Sequence, residues 1–380
     1  MDLDLKYPEM ADLRARAKRR IPRFAFDYLD SGTGRELGLC TNREALDRVQ
    51  FMPQILRGQQ EADLSVRFMG TDYPLPFGIA PIGMSGMIWP GAEAILAKAA
   101  ARLRLPYCLS TVATKLPEDI GPLAGDMGWF QLYPPRDKKI RDDVLHRAAE
   151  AGFTKLILTV DVPGESRRER QRRAQVTMPP VLTPWMIWQT LISPVWAWGM
   201  SFQGMPDVVL PASYLTEEQR TGDKFMHAGR LIRGYPSWDM LEDIRAVWKG
   251  DLLIKGVMVS QDARRLVDAG ADGIWVSNHS ARQFDGGPAP IDMLPGVRAA
   301  VGPAVPVIYD SGVTGGLDIM RALALGANFV MLGRAWHYAV AALDERGPAH
   351  MAHVLEQDMR LNMAQIGAEK LDDLADRVLR

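Results

Sequence analysis

Short apolar runs alternate with amphipathic segments along most of the chain. The amphipathic segments carry apolar residues at spacings of three and four, which predicts helices over residues 92–102, 141–151, 260–269 and 317–325. Eight runs have the length and composition of buried strands: residues 76–80, 107–110, 128–132, 155–160, 252–255, 273–277, 305–309 and 329–332. Eight strand-and-helix units predict an α/β fold, a closed (β/α)8 TIM barrel. An open Rossmann sheet is disfavoured, because no Gly-x-Gly-x-x-Gly follows the first strand.

Two regions lie outside this alternation. Residues 1–65 show helical periodicity and predict a helical lead-in that packs against the barrel. Residues 174–235 form a predicted insertion between the fourth and fifth strands, over the active-site face. Length alone would suggest two domains, but a barrel with such additions can hold all 380 residues, so we expect a single domain over 1–380.

The first part of the insertion has an unusual composition. Residues 174–206 contain no charged residue and four tryptophans, which suggests a membrane element. Prolines at positions 179, 180, 184 and 194 interrupt any single helix that could span a bilayer. We therefore expect this segment to pack over the active-site mouth or between subunits. Peripheral membrane contact through its aromatic residues is the alternative.

Charge and cysteine content narrow the function. The formal net charge is -1, and no nucleic-acid-binding motif is present, so we expect no nucleic-acid partner. Two cysteines are too few for a disulfide framework and lack the spacing of a zinc site, so we expect no metal. The N-terminus is acidic and has no apolar run of signal-peptide length, which predicts a cytoplasmic protein. A small molecule is the expected partner.

Chemically active side chains follow four neighbouring predicted strands. Tyr133 follows the third strand, Asp161 the fourth, Lys255 ends the fifth, and His279 follows the sixth. The other five histidines fall in helical or loop contexts. In α/β barrels the carboxyl ends of the strands form the catalytic face. The sequence therefore predicts a site there, with His279 as a functional residue.

Several motifs together resemble a known family. They are Ile-Lys-Gly-Val at 254–257, Ser-Asn-His-Ser-Ala-Arg-Gln-Phe-Asp-Gly at 277–286, Asp-Ser-Gly-Val at 310–313, Arg-Ala-Leu-Ala-Leu-Gly-Ala at 321–327 and Leu-Gly-Arg at 332–334. The chain resembles the FMN-dependent 2-hydroxy acid oxidase and dehydrogenase family, which includes glycolate oxidase, lactate oxidase and mandelate dehydrogenase. The resemblance extends from residues 26–28 and 42–43 to 333–334. It implies FMN as cofactor and oxidation of an L-2-hydroxy acid to a 2-oxo acid. The alternatives are an FMN barrel with a non-redox role, such as isomerisation, and a purely binding role.

The resemblance also implies catalytic roles. His279 matches the family's base, and Asp161 matches the carboxylate that partners it. The resemblance leaves open whether the carbon-bound hydrogen leaves as a hydride or as a proton. The residues that match contacts to the substrate carboxylate and oxygen are Arg282, Arg168, Tyr28 and Tyr133. Arg168 lies in an arginine-rich run and follows Asp161 by seven residues, the spacing of the family's carboxylate-binding arginine. The other arginines of the run, at 167, 170, 172 and 173, are predicted to form a solvated face.

A second group of residues matches the family's cofactor site. Lys255 matches the lysine beside flavin N1 and O2, where a positive charge stabilises the reduced ring. Contacts along the ring match Pro81, Ile82, Gly83, Ser110, Gln131 and Thr159. Contacts near the ribityl chain and phosphate match Asp310, Gly312, Gly333 and Arg334. Barrels commonly bind phosphate after strands seven and eight.

Departures from the family pattern mark where this chain differs. Ser280 and Ser311 stand where the pattern usually has glycine, and Thr314 replaces an arginine that would face the phosphate. Val112 replaces the tryptophan of glycolate oxidase, which favours a bulkier substrate. Gly83 stands where dehydrogenases often have glycine and oxidases alanine, which favours a dehydrogenase. The electron acceptor would then be a quinone or a cytochrome rather than oxygen, and relatives imply a homotetramer.

Overall fold

Eight parallel strands close into a barrel, as the sequence predicts. The computed structural model describes residues 2–164, 166–174, 183–221, 224–232 and 234–379. A hairpin of β1 (Val66–Phe68) and β2 (Thr71–Tyr73) precedes the barrel. The barrel strands are β3 (Phe77–Ile79), β4 (Tyr107–Ser110), β5 (Gly128–Leu132), β6 (Lys155–Thr159), β7 (Asp251–Val257), β8 (Gly273–Val276), β9 (Val307–Tyr309) and β10 (Phe329–Leu332). Each strand pairs with the next along the chain, and β10 pairs with β3 to close the barrel.

Helices alternate with these strands and extend the fold at both ends. Before the barrel lie α1 (Leu3–Lys6), α2 (Met10–Arg20), α3 (Arg23–Asp30) and α4 (Leu37–Arg48). The following helices, up to strand β6, are α5 (Ser85–Ile88), α6 (Ala92–Leu103), α7 (Pro117–Ala124) and α8 (Lys138–Glu150). After β6 come α9 (Glu169–Arg173), α10 (Pro184–Leu191), α11 (Pro194–Gln203), α12 (Val209–Ser213), α13 (Glu217–Thr221), α14 (Lys224–Leu231) and α15 (Trp238–Val247). The remaining helices are α16 (Ser260–Asp268), α17 (Pro290–Val301), α18 (Gly316–Ala324), α19 (Arg334–Leu343) and α20 (Gly347–Ile366).

The strand boundaries refine the sequence prediction at one functional position. The fifth predicted strand was placed over 252–255, whereas β7 runs to Val257 with an irregularity after Lys255. Lys255 therefore lies within the strand rather than at its end. Its side chain is buried, and the left-handed Gly256 (φ 100°) leaves room for Asp161, which a Cβ there would contact at 2.5 Å.

Aromatic side chains fill the amino-terminal half of the barrel. Phe68 of the hairpin packs between Trp129 and Phe329, with ring centroids 6.3 and 5.1 Å away. Trp275 belongs to the same buried cluster. A larger cluster outside the barrel joins the lead-in helices to the barrel helices and α20. The single domain stays a prediction, since continuity of packing alone does not define a domain.

The lead-in and the insertion are located as predicted. Helices α1 to α4 occupy residues 3–48, and α2 packs against α19. Helices α9 to α14 lie between the fourth and fifth barrel strands, β6 and β7. Residues 175–182, 222, 223 and 233 of the predicted insertion lie outside the described residues. In the described part of the chain, no helix is long and apolar enough to cross a membrane.

Candidate active site

Polar side chains form a hydrogen-bonded row across the carboxyl ends of three adjacent strands. The Ser110 hydroxyl donates to Gln131 Oε1 over 2.8 Å, and Gln131 Nε2 donates to Thr159 Oγ1 over 3.0 Å. All three residues are buried. Buried amides and hydroxyls hold fixed orientations when they bond one another. The row therefore presents a fixed set of donors and acceptors at the barrel rim.

A buried ion pair continues the rim on the other side. Lys255 Nζ lies 2.9 Å from Asp310 Oδ2 and donates to Ser277 Oγ over 2.7 Å. The Trp275 indole N–H also donates to Asp310 Oδ2, over 3.0 Å, and Ser311 Oγ donates to Asp310 Oδ1 over 2.6 Å. A buried charge requires such partners to offset lost hydration. The rim thus carries a positive charge whose position is fixed.

His279 and Asp161 lie in contact, as the sequence predicts for a base and its partner carboxylate. His279 Nδ1 lies 3.1 Å from Asp161 Oδ1. Donation from Nδ1 to the carboxylate leaves the Nε2 lone pair free to accept a proton. Burial lowers the pKa of His279 below its usual value, outweighing the opposing effect of Asp161. Burial opposes ionisation of Asp161, yet His279 and Lys255 lower the pKa of that carboxyl. His279 is therefore neutral at neutral pH and lies beside a carboxylate, as the predicted role of a base requires.

Two tyrosines flank this pair. Tyr133 Oη lies 3.4 Å from His279 Nε2, and burial and the Asp161 charge raise the pKa of the Tyr133 phenol. The Tyr28 hydroxyl donates to the Gly83 carbonyl over 3.1 Å. The Tyr133 phenol therefore keeps its proton and is a hydrogen-bond donor near Nε2, while the Tyr28 hydroxyl lies beside the 81–84 segment.

Arg282 and Arg168 come together although they are 114 positions apart. Arg282 Nη1 donates to the carbonyl oxygens of Tyr28, Leu29 and Ser31, at 2.8 to 3.3 Å. Burial, together with the neighbouring Arg168, lowers the pKa of Arg282 to about 9. Two guanidinium groups at close range repel each other unless an anion binds between them. This arrangement suits a carboxylate ligand.

The opposite end of the site is built mainly from backbone. Gly333 precedes the ten-residue helix α19, and Gly312 adopts a left-handed conformation (φ 86°) in contact with Asn42. A helix start exposes amide groups that bind phosphate. Arg334 begins α19 and donates to the carbonyls of Leu29 and Ser31 over 3.0 and 2.9 Å. This end is suited to an anion.

Thr314 brings a different arginine towards this end. The Thr314 hydroxyl donates to Asp318 Oδ2 over 2.9 Å, and Arg43 Nη1 donates to Thr314 Oγ1 over 2.9 Å. Arg43 also donates to the Gly312 carbonyl, and its charge is balanced by Asp318, with Nη2 to Oδ1 at 2.6 Å. Its guanidinium is thus already engaged by a carboxylate.

One cavity of about 610 Å³ joins these features. Every site residue predicted from the sequence lines it except Ser110 and Asp161, which lie behind Gln131 and His279 and bond to them. The cavity has a polar rim, a fixed positive charge at Lys255, and an end suited to an anion. These residues fit FMN: the rim row and Lys255 would hold the ring, and Asp310, Gly312, Gly333 and Arg334 would hold the ribityl chain and phosphate.

Some residues near the site were not identified correctly from the sequence. Arg170, which was assigned to a solvated face, pairs with Asp30 at 2.8 Å and Glu36 at 3.0 Å and lines the cavity, so that assignment is wrong. Arg43 and Trp275 were given no role. Arg43 contacts Asp318 and Trp275 contacts Asp310, both far along the chain, so residue spacing gave no signal for these contacts. The position of Trp275 in an apolar strand was the only indication that it is buried near the site.

Fold and site together define a flavin-dependent barrel enzyme for anionic substrates. The family described as FMN-dependent dehydrogenase matches residues 17–380. The L-lactate dehydrogenase of Caulobacter sp. (strain K31) is 37% identical over 371 residues, covering 97% of each chain. The solved structure of the monotopic membrane protein (S)-mandelate dehydrogenase is similar at TM-score 0.91 and 32% identity, covering 98% of each chain. A mandelate oxidase variant is similar at TM-score 0.81 and 31% identity, covering 98% of each chain.

The chain belongs to the FMN-dependent 2-hydroxy acid oxidase and dehydrogenase family. The barrel, the FMN cofactor and the reaction class, FMN-dependent oxidation of a 2-hydroxy acid, are as the sequence predicts. A non-redox or purely binding role is not favoured.

Proposed function

We propose that His279 is the base in the oxidation of an L-2-hydroxy acid to the 2-oxo acid. His279 Nε2 takes the proton of the substrate hydroxyl, and Asp161 stabilises the imidazolium that forms. FMN, when bound, would supply the acceptor for the carbon-bound hydrogen, which leaves with its electron pair as the hydroxyl proton passes to His279. The observation that carries this proposal is the contact of His279 with Asp161 over 3.1 Å on the wall of the cavity that Arg282 and Arg168 also line.

Arg282 and Arg168 orient the acid for this proton transfer. The carbonyls of the α3 C-terminus hold Arg282, and Gln283 Oε1 holds Arg168 Nη2 over 2.9 Å. A planar guanidinium pairs with a carboxylate through two parallel hydrogen bonds. Tyr133 donates to a remaining substrate oxygen, and Tyr28 can do so once its hydroxyl turns from the Gly83 carbonyl to the substrate. The acid is thereby held with its hydroxyl towards His279 Nε2.

The visible absorbance of the purified protein tests whether it oxidises an L-2-hydroxy acid. We expect a yellow protein whose visible absorbance bleaches anaerobically when an L-2-hydroxy acid is added. The matched D-2-hydroxy acid is the control and leaves the absorbance unchanged. A colourless protein that binds no added FMN, or one that no L-2-hydroxy acid bleaches, contradicts the proposal.

We propose a dehydrogenase that passes electrons to a quinone. Gly83 packs against Val112, whose Cγ2 would lie 2.4 Å from a Cβ at position 83. Alanine, which favours oxidases at this position, therefore does not fit without displacement of Val112. Reduced protein should reoxidise faster with a soluble quinone than with air-saturated buffer. Oxygen as the faster acceptor contradicts this proposal, and cytochrome reduction without a quinone identifies the other carrier.

We propose that the substrate has a bulky apolar side chain. The small Val112 lines the cavity together with Val162, Ile232, Tyr235 and Pro236. Apolar walls favour an apolar substituent on the 2-carbon. In a panel of glycolate, lactate, mandelate and longer 2-hydroxy acids, kcat/KM should increase with substituent size. The highest kcat/KM for glycolate contradicts this.

The insertion presents an apolar surface, which we propose contacts the membrane. Trp188, Leu191, Trp198 and Phe202 on α10 and α11 are 59% to 71% exposed. Trp196 faces inward, where its N–H donates to the Met87 carbonyl over 3.0 Å. Exposed aromatic clusters on a rigid support commonly sit at bilayer interfaces. The similarity to a monotopic membrane protein supports the same interpretation.

Positive charges border this apolar surface. The amide of Arg23 donates to Gln189 Oε1 of α10 over 3.2 Å, and its side chain is 71% exposed. Lys18 and Arg19 are also exposed on the adjoining end of α2. Basic residues beside an apolar face favour anionic headgroups. We therefore propose a cytoplasmic enzyme that rests on a membrane as a homotetramer, the assembly being tested by its mass in solution.

Vesicle binding distinguishes membrane contact through this apolar surface from non-specific binding by other exposed apolar residues. We expect wild-type protein to sediment with vesicles of mixed neutral and anionic phospholipid. The double variant Trp198→Ser, Phe202→Ser should lose binding about thirtyfold, since each side chain contributes about 1 kcal/mol or more at the interface. Leu361→Ser, at a 65% exposed leucine on α20, is the control and retains binding. Equal binding of all three proteins contradicts the proposal.

A further inference from the structure

The turn that carries His279 has a strained backbone. His279, Ser280 and Ala281 all have positive φ, at 56°, 52° and 52°. None is glycine, and the left-handed region is unfavourable for residues with a Cβ. Three such residues in succession persist only where surrounding contacts hold them. The contacts of this turn therefore determine where the imidazole stands.

Each amide of the turn is held by a neighbouring side chain. His279 N–H donates to Ser277 Oγ over 3.0 Å. Ser280 N–H donates to Ser311 Oγ over 3.0 Å. Ala281 N–H donates to Asn278 Oδ1 over 3.2 Å. The middle contact differs from the other two, because Ser311 comes from the loop after β9 rather than from the same loop.

The two serine contacts lead to the same ion pair. Ser277 Oγ accepts from Lys255 Nζ over 2.7 Å, and Ser311 Oγ donates to Asp310 Oδ1 over 2.6 Å. Lys255 and Asp310 are themselves 2.9 Å apart. The backbone of the histidine turn is therefore tied through one hydroxyl to each partner of the charged pair at the cavity rim. A closed network of this kind transmits a displacement of one member to the others.

Ser311 is itself in an unfavourable conformation. Its φ is 87°, and its side chain is buried at 4% exposure. Glycine would adopt this backbone conformation more readily but has no hydroxyl. The serine therefore keeps a strained backbone together with two hydrogen bonds, one accepted from Ser280 and one donated to Asp310.

We propose that Ser311 is a positioning residue that fixes the His279 turn against the Lys255–Asp310 pair through the Ser280 amide. This inference rests on the proposed role of His279 as base. Ser311 lines the cavity, but in the described part of the chain it makes no hydrogen bond to the imidazole or to Arg282 or Arg168, and it acts through the backbone of residue 280. Ser280 and Ser311, the two serines at positions where the family usually has glycine, thus form one contact.

Amide exchange tests the contact without any turnover. We expect the peptide covering 277–284 to exchange about tenfold faster in Ser311→Gly than in wild type, because the Ser280 amide loses its acceptor. Ser311→Ala also lacks the hydroxyl and should show the same loss of protection. The pair differs in backbone strain: glycine at φ 87° should leave Tm unchanged or higher, and alanine should lower it. Unchanged protection in both variants overturns the proposal.

Kinetics test whether the contact positions the base. We expect Ser311→Gly to lower kcat about tenfold with KM changed less than about threefold, and to move the acidic limb of the kcat profile to lower pH. The sign follows because Asp161 raises the pKa of His279, and a displaced imidazole loses part of that effect. A change confined to KM, or an unmoved limb, contradicts a positioning role.

A double-variant cycle tests the route through residue 280. Glycine at 280 adopts the turn without strain, so Ser280→Gly should reduce the effect of Ser311→Gly from about tenfold to less than about threefold. The same tenfold loss in both backgrounds overturns the route. A wild-type protein that oxidises no 2-hydroxy acid would refute the proposed function instead, while the exchange result would still decide whether Ser311 holds the turn.

Discussion

The two ends of the cavity are held by different kinds of interaction. At the end proposed to bind the substrate acid, His279, Asp161 and Arg282 are charged or titratable side chains with fixed partners. At the opposite end, which is predicted to bind the phosphate, Gly312 and Gly333 offer backbone, and Arg334 is the one cationic side chain among the predicted contacts. Proton transfer requires groups positioned to within a fraction of an ångström, whereas an anion is bound by any adequate set of amides and charges. Substitutions at the two ends should therefore affect different measurements.

Loss of the base should give the largest effect. His279→Gln removes the proton acceptor while keeping a polar side chain of similar size, so kcat should fall about a thousandfold or more. Stopped-flow absorbance of the flavin during anaerobic reduction measures the rate. FMN content, read from the same spectrum, should equal that of wild type. A rate within about tenfold of wild type would show that His279 is not the base.

Loss of the carboxylate should give a smaller effect with a distinct pH signature. Asp161→Asn removes the anion that stabilises the imidazolium, and kcat should fall about a hundredfold. Because Asp161 raises the pKa of His279, its removal lowers that pKa further, so the acidic limb moves to lower pH. A limb that moves to higher pH would contradict the assigned pairing. The pH dependence of kcat between pH 4 and pH 8 measures both changes.

A change at the phosphate end should affect binding rather than rate. Thr314→Arg adds a charge where the family pattern has one, and it should tighten FMN binding about tenfold without tightening riboflavin binding. Fluorescence titration of flavin-free protein with each ligand measures the ratio. Thr314→Gln, neutral and of similar reach, is the control and should leave it unchanged. Equal tightening of both flavins would show that position 314 does not face the phosphate.

The barrel could be predicted because its strands are short, continuous apolar runs with both faces buried. Candidate catalytic residues could be predicted because several of them follow those strands and match motifs of a known family, the densest of which surrounds His279. The β1–β2 hairpin was not predicted, since three-residue strands carry too few positions to show a period. Strand β7 extended past Lys255 because Gly256 permits a backbone irregularity that no hydrophobic pattern reveals.

Contacts between distant loops were beyond sequence reasoning. Ser280 and Ser311 were recognised as departures from a pattern, but their hydrogen bond depends on how the loops after β8 and β9 approach each other. Arg170 was assigned to solvent because arginine-rich runs are usually exposed. Its partners, Asp30 and Glu36, come from the lead-in, about 140 positions earlier for Asp30.

The hairpin before the barrel covers the amino-terminal end of the barrel interior. Phe68 packs against Trp129 and Phe329 at the amino-terminal end of the barrel, and the cavity described above lies at the opposite end, where the loops meet. A flavin held by Lys255 and the row of Ser110, Gln131 and Thr159 would enter from this side, and so would an acid held by Arg282. Cofactor and substrate would therefore approach the barrel from the same side.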